Sequence, residues 1–282
     1  MIPYRMNPLG ISVNENIPLT LTAEQANSTI TLNATGSPTV SGLHYRLGKS
    51  GLWLPYTIGT TITLANIGDS VQFWNSAGTL STDNANRVSF SMTGQISGSG
   101  IIESLIDWET TVPDYAMNSL FYNLGSLVRS PDFSGVTLGR NCYAQILRQT
   151  GITAMPQISA RTLGTASMAS MFYRCYSLTG ESVMQQSDPA QGCYQSAFQE
   201  TAITSVVIGL ESLAAYCLYG AFLGCSNLSR IEVNFTSWGN IATATQNWVS
   251  GVAAEGTFIK PAALPEEYGV NRIPTGWTVV NK

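Results

Sequence analysis

Five segments between Tyr115 and Leu228 repeat one arrangement of apolar side chains, and the length of that repeat limits the fold more than any other feature. Each copy opens on a small or thiol residue with an apolar neighbour, closes on an apolar pair, and then reaches an aliphatic residue. The copies are Ala116-Met117…Leu120-Phe121…Leu127, Cys142-Tyr143…Ile146-Leu147…Ile152, Ser167-Met168…Met171-Phe172…Leu178, Cys193-Tyr194…Ala197-Phe198…Ile203 and Cys217-Leu218…Ala221-Phe222…Leu228. Aligned on Phe121, Leu147, Phe172, Phe198 and Phe222, the steps are 26, 25, 26 and 24 residues. A period of roughly 20–29 residues is that of a leucine-rich-type solenoid. One such unit cannot bury its apolar edge alone, so neighbours stack and share a core. The five aligned residues are therefore expected to be the core rungs. The small residue and the apolar pair fall at i, i+4 and i+5, which predicts a short helix in each unit. An extended run follows it, and Leu138, Leu163 and Leu213 are expected to add a further buried rung.

The rest of the chain divides around this block. Residues 1–14 read as an arm, with apolar Ile2, Tyr4, Met6, Leu9 and Ile11 between Pro3, Pro8 and Gly10. The arm is either a frayed end or a docking segment ordered by a partner. Residues 15–98 alternate apolar and polar side chains, as in Thr29-Ile30-Thr31-Leu32 and Val88-Ser89-Phe90-Ser91-Met92, which predicts a small β-sandwich. Trp53 and Tyr56 are expected in its core or at its rim. Gly98-Ser99-Gly100 reads as a hinge into the solenoid at 99–235. Residues 236–282 depart from the repeat, and Trp238, Trp248, Phe258 and Trp277 suit a hydrophobic C-terminal cap. The expected fold is mainly β with short helices: sandwich, solenoid, cap.

Charge excludes several functions. Charged residues make up 11% of the chain, against about 25% in typical soluble domains. Lys occurs only at Lys49, Lys260 and Lys282, and no basic stripe exists to neutralise phosphates, so no nucleic-acid partner is expected. No run of about 18 apolar residues is present, so no membrane insertion is expected. The first residues do not form a secretory signal. A whole gene product with this start is expected to stay in the cytoplasm until another route releases it.

The five cysteines are Cys142, Cys175, Cys193, Cys217 and Cys225. An odd number argues against a complete disulfide framework, and no Cys/His spacing suits a metal. Cys142, Cys193 and Cys217 share a repeat position with Ala116 and Ser167, so they read as buried small side chains. No cofactor is expected.

The units Ser167-Met168-Ala169-Ser170-Met171-Phe172-Tyr173-Arg174-Cys175-Tyr176-Ser177-Leu178 and Cys217-Leu218-Tyr219-Gly220-Ala221-Phe222-Leu223-Gly224-Cys225-Ser226-Asn227-Leu228 resemble the BspA-like leucine-rich repeat family. Gly256-Thr257-Phe258-Ile259-Lys260-Pro261 through Ile273-Pro274-Thr275-Gly276-Trp277-Thr278-Val279 is similar to the segment that ends such repeats in Bacteroides-type bacteria and their phages. Here Leu147 replaces the usual Phe, and Leu124, Thr150 and Thr201 stand where Cys175 and Cys225 stand in their copies. The resemblance implies a surface adhesin or interaction protein, not an enzyme.

No catalytic residue is expected. His44 is the sole histidine, and no GxSxG elbow accompanies it. Glu103, Asp107, Glu109 and Asp114 are the only carboxylates grouped as a glycosidase would need, and they read as a solvated acidic patch. Asp83-Asn84-Ala85-Asn86 is too sparse for a calcium loop. The first functional reading is a structural protein of a bacteriophage virion, in head, tail fibre or decoration. Ile2, Tyr4, Met6 and Leu9 would dock it to other virion proteins, and the repeat surface would meet a host protein or glycan. A homo-oligomer, trimeric by analogy with such assemblies, is expected. The alternatives are a bacterial cell-surface adhesin and a carbohydrate-active enzyme.

Overall fold

The computed structural model describes residues 17–282 except Thr79. The arm residues Ile2, Tyr4, Met6 and Leu9 lie outside the described residues. The chain is mainly β with almost no helix and winds into a β-solenoid of about seven turns.

The first eight strands are β1 (Leu19–Ala23), β2 (Ser28–Thr35), β3 (Leu43–Leu47), β4 (Leu54–Pro55), β5 (Thr61–Leu64), β6 (Ser70–Asn75), β7 (Arg87–Thr93) and β8 (Ile96–Ser99). Then come β9 (Thr111–Val112), β10 (Leu127–Arg129), β11 (Thr137–Leu138), β12 (Thr179–Met184), β13 (Ala202–Ile208), β14 (Arg230–Val233), β15 (Thr257–Lys260) and β16 (Thr278–Asn281). One sheet has the order β10-β8-β1-β6-β3-β4 and a second the order β5-β2-β7. Period-2 patterning buries Leu19, Leu21, Ile30, Leu32, Val71, Phe73, Val88 and Phe90. Phe73 of the first sheet meets Phe90 of the second, ring centroids 5.4 Å apart. Tyr56 is buried and its hydroxyl accepts from the Leu32 amide at 2.9 Å. Trp53 is half-exposed, with the Arg46 guanidinium 4.7 Å from its ring centre.

Strand β8 belongs to both halves of the molecule. It pairs antiparallel with β1 and parallel with β10. Gly98-Ser99-Gly100 is consequently no hinge. A Cβ on Gly98 would lie 2.7 Å from Pro131 Cδ, and one on Gly100 would lie 2.3 Å from the Pro18 carbonyl oxygen. These glycines let neighbouring chain segments approach closely.

The predicted helices are absent from the repeats, where the only helical piece nearby is the 3₁₀ turn Ile102–Ile106 that precedes them. Each unit instead opens with a ribbon of overlapping turns. Positive φ recurs every fourth residue: Tyr115, Ser119 and Asn123, then Asn141, Gln145 and Gln149, then Ala166, Ser170 and Arg174. Gly192, Ser196 and Glu200, then Tyr216, Gly220 and Gly224, continue the series. Helical backbone forbids this, since left-handed residues cost L-amino acids energy and break the i→i−4 ladder. Alternate amides then point two ways. Ala116, Asn118 and Leu120 donate back three residues, to Pro113, Tyr115 and Met117. Met117, Ser119 and Phe121 donate sideways into the next coil, to the carbonyls of Cys142 (3.1 Å), Ala144 (3.0 Å) and Ile146 (2.9 Å).

After each ribbon the chain straightens. Strands β12 to β16 stack in parallel, in sequence order. Residues 236–282 do not leave the repeat. The Phe222 amide donates to Trp248 at 2.9 Å, and β15 and β16 extend the parallel sheet by two coils. Their aromatic composition hides the repeat and their spacing shifts, from Ile231 to Phe258 and then to Val279, but the parallel winding continues.

Candidate binding face

Inside the solenoid the aligned rungs form one column. Phe121, Leu147 and Phe222 are fully buried and Phe172 and Phe198 are 2% exposed. Ring centroids lie 5.1 Å apart for Phe172 and Phe198 and 5.7 Å for Phe198 and Phe222. Phe90 stacks on Phe121 at 5.2 Å, and buried Val249 takes the rung position after Phe222, with the ring of Trp248 6.1 Å from Phe222, so the column outruns the five repeats at both ends. Leu127, Ile152, Leu178, Ile203 and Leu228 make a second buried column. Leu138 and Leu163 are buried and Leu213 partly so.

The five cysteines are all buried free thiols. Burial raises every one of them, Cys193 to about 12 and Cys217 to about 11. Cys175 and Cys225 donate to the carbonyls of Leu147 and Phe198, each at 2.9 Å. Thr150 and Thr201, one coil earlier, donate to the same two carbonyls at 2.8 and 2.9 Å, so each carbonyl accepts from a Thr of its own coil and a Cys of the next. These groups are structural, with thiols held in the unreactive form.

The four grouped carboxylates separate. Asp107, Glu109 and Asp114 are exposed, whereas Glu103 is wholly buried, so the expected solvated patch loses its first member. Glu103 Oε2 accepts from the Ser134 amide and hydroxyl, both at 2.8 Å, and Oε1 accepts from the Tyr143 hydroxyl. Burial raises the Glu103 carboxyl, and these hydrogen bonds oppose the rise. The residue joins the 3₁₀ turn to the first two coils. Its neighbours Ile101, Ile102, Leu105 and Ile106 are apolar, which is the local signal of burial.

His44 hydrogen-bonds the Gly42 carbonyl through Nδ1 at 2.8 Å and stacks on Trp74 at 5.5 Å. Asp83 accepts from the amides of Ala85 and Asn86, both at 2.7 Å, closing a turn. Among the described residues no three His, Cys, Asp or Glu side chains gather as a metal site. A partly open pocket of about 20 Å³ beside Met168, Met171, Phe172, Met184 and Phe198 has room for about one water.

The outer side of the turn ribbon carries a different ladder. The residue after each rung points out, and in successive coils it is Tyr122, Arg148, Tyr173 and Gln199. The Arg148 guanidinium lies 5.5 Å from the Tyr122 ring centre and 4.4 Å from that of Tyr173. Arg174 sits 5.0 Å from Tyr173 and binds Glu200 through Nε at 3.1 Å and Nη2 at 3.3 Å. Tyr176 is 63% exposed, and Tyr122 and Tyr216 are about 40% exposed. Coils stack about 4.8 Å apart, so parallel side chains at this spacing hold one another in place. Each exposed cation–π contact contributes about 0.5–1 kcal/mol. Sequence reasoning missed this ladder, although Tyr122, Arg148 and Tyr173 recur at the same interval as the rungs.

The arrangement leaves aromatic and planar polar groups exposed on the turn face, while the buried titratable groups serve the core. No protein family, no curated protein and no solved structure matches this chain.

Proposed function

We propose that this chain is a non-enzymatic structural and adhesion protein of a bacteriophage virion, with the turn face of its solenoid as the contact surface for a host protein or glycan. The observation that supports this reading best is the outward ladder of Tyr122, Arg148 and Tyr173 with the exposed Tyr176 beside it. Tyrosine offers a large amphipathic area at low cost in side-chain entropy, which suits recognition. The low charge and the BspA-like repeat phrase agree with a surface role. In this reading the mixed six-stranded sheet and the antiparallel three-stranded sheet, facing each other through Phe73 and Phe90, act as a β-sandwich that closes the N-terminal end. Trp238, Trp248 and Trp277, whose indole N–H groups donate to the carbonyls of Pro265, Arg272 and Ala253, fill the core of the last coils while leaving the β16 edge uncovered among the described residues.

Two measurements test the proposal. Immobilised glycans and host-envelope extracts are probed with the intact protein and with a Tyr173→Ala/Tyr176→Ala variant. Binding by the intact protein and at least tenfold weaker binding by the variant are expected. Equal binding, or none by either protein, removes the turn face as the contact surface. Peptide mass spectrometry of purified particles is expected to find this chain, and its absence there removes the virion assignment.

A further inference from the structure

Among the described residues strand β16 is the last in its sheet. It pairs with β15 in the register Thr257↔Thr278 to Lys260↔Asn281 and with no other strand among the described residues. The amides of Thr278 and Lys282 donate back to Gly256 and Lys260, both at 2.9 Å. Parallel pairing alternates, so the amides and carbonyls of Val279 and Asn281 face away from the solenoid. The inward column beneath them reads Val206, Ile231, Phe258, Val279. Its first three members are fully buried, but Val279 is only partly covered. Tyr268, Val270 and Val280, at 51%, 48% and 43% exposure, are apolar groups left open on the same last coil. A strand laid on β16 would satisfy these backbone groups and bury Val279, provided that it carries apolar residues at every second position.

The sequence contains a segment of that pattern outside the described residues. Leu9, Ile11 and Val13 alternate with Gly10, Ser12 and Asn14, and no proline follows Pro8 before Ile17. Length decides which β16 it reaches. The described chain begins at Ile17, whose carbonyl accepts from the Ile101 amide, before the first coil. The chain's own β16 lies about seven turns away, roughly 34 Å at about 4.8 Å per turn. Leu9 is eight residues from Ile17, a span of at most about 28 Å when fully extended. The alternating segment therefore falls short of its own edge strand.

We propose that Leu9–Val13 of one copy add as a strand to β16 of a second copy. Such a contact is head-to-tail, and it either closes into a ring or runs on as a filament. It stands independently of the adhesion reading above.

The test uses sedimentation equilibrium over a range of concentrations, with circular dichroism as the check on folding. Three proteins are compared: the full chain, the chain lacking residues 1–16, and full-length Val279→Pro. The Val279 amide makes no bond within the solenoid, so proline there removes only the outward donor. The full chain is expected to assemble, and each variant alone to associate at least tenfold more weakly. Mixed one to one, the variants are expected to form a heterodimer, since one retains the edge and the other the segment. A full chain that stays monomeric throughout, or a truncated chain that assembles as well as the full one, overturns the proposal. So does a mixture that does not pair.

Discussion

The ring of Phe198 lies 5.1 Å from that of Phe172, with the two planes 25° apart. Two side chains 26 positions apart in the sequence thus touch face to face, and each is held by the turn ribbon of its own coil. Phe198→Ala removes contacts with both Phe172 and Phe222 in a site that is 2% exposed. The expected loss is about 3–5 kcal/mol, set by the transfer of the ring and the cavity left behind. Urea denaturation measures it. A loss below about 1 kcal/mol would mean that the column is not close-packed.

The turn ribbon makes opposite predictions at two stacked positions. Gly220 has φ +58° and Ser196 has φ +52°. Gly220→Ala places a Cβ in left-handed backbone, 3.3 Å from Ser196 Oγ, and is expected to cost about 1–2 kcal/mol. Ser196→Gly relieves the same strain, offset by the entropy of the unfolded chain, and is expected to be neutral or to stabilise by up to about 1 kcal/mol. Thermal melts of the two variants shift apart if the ribbon is correct. A ribbon that was helical in solution would reverse the order, because glycine weakens a helix.

Glu103 imposes a pH dependence of defined sign. Its folded carboxyl is raised above the ordinary 4.5, chiefly by burial. The folded state then holds the proton more tightly than the unfolded state. The contribution is fully present below the ordinary value and is lost as pH rises from there through the raised one. Glu103→Gln removes the titration. The stability difference, wild type minus variant, is expected to decline as pH rises above the ordinary carboxyl value. A difference that grows over this range would show that the hydrogen bonds from Ser134 and Tyr143 outweigh burial. Glu103→Ala leaves the Tyr143 hydroxyl and the Ser134 amide unpaired and is expected to cost about 1–3 kcal/mol for each buried group so orphaned.

Thiol chemistry reports on the core. All five cysteines are buried. Burial pushes Cys193 to about 12 and Cys217 to about 11, so little thiolate exists at pH 8. A disulfide reagent at pH 8 is expected to label none of the five rapidly in the folded protein and all five in guanidinium. Prompt labelling of Cys217 in buffer would show that the ribbon opens locally.

Much of the solenoid was legible because its rungs repeat at nearly constant distance, from Phe121 to Phe222. The helix expectation failed for a physical reason. A ribbon with positive φ every fourth residue returns side chains to one side at i and i+4, as a helix does. The discriminating signal was present in Asn123, Asn141, Gly192, Gly220, Gly224 and Gly251, residues tolerant of left-handed backbone at equivalent points. Trp248 was legible only as a large aromatic, because the last coils change length and lack the opening Cys-Tyr phrase. Glu103 was misjudged by grouping it with acids nearby in sequence, when Ile101, Ile102, Leu105 and Ile106 on either side already marked it as interior. The Tyr122–Arg148–Tyr173 ladder sits on the polar side, where composition varies most, and its period shows only beside that of the rungs.

The sideways amides of the ribbon also make the molecule extensible. Every coil offers its successor the same row of donors and receives the same row from its predecessor, as Met117, Tyr143 and Met168 do in turn. Inserting or excising one whole unit leaves each new seam chemically equivalent to the old one. Slipping a single residue swaps inward-turning amides for lateral ones and destroys the fit. Length can therefore change in units of one winding, while everything finer is locked.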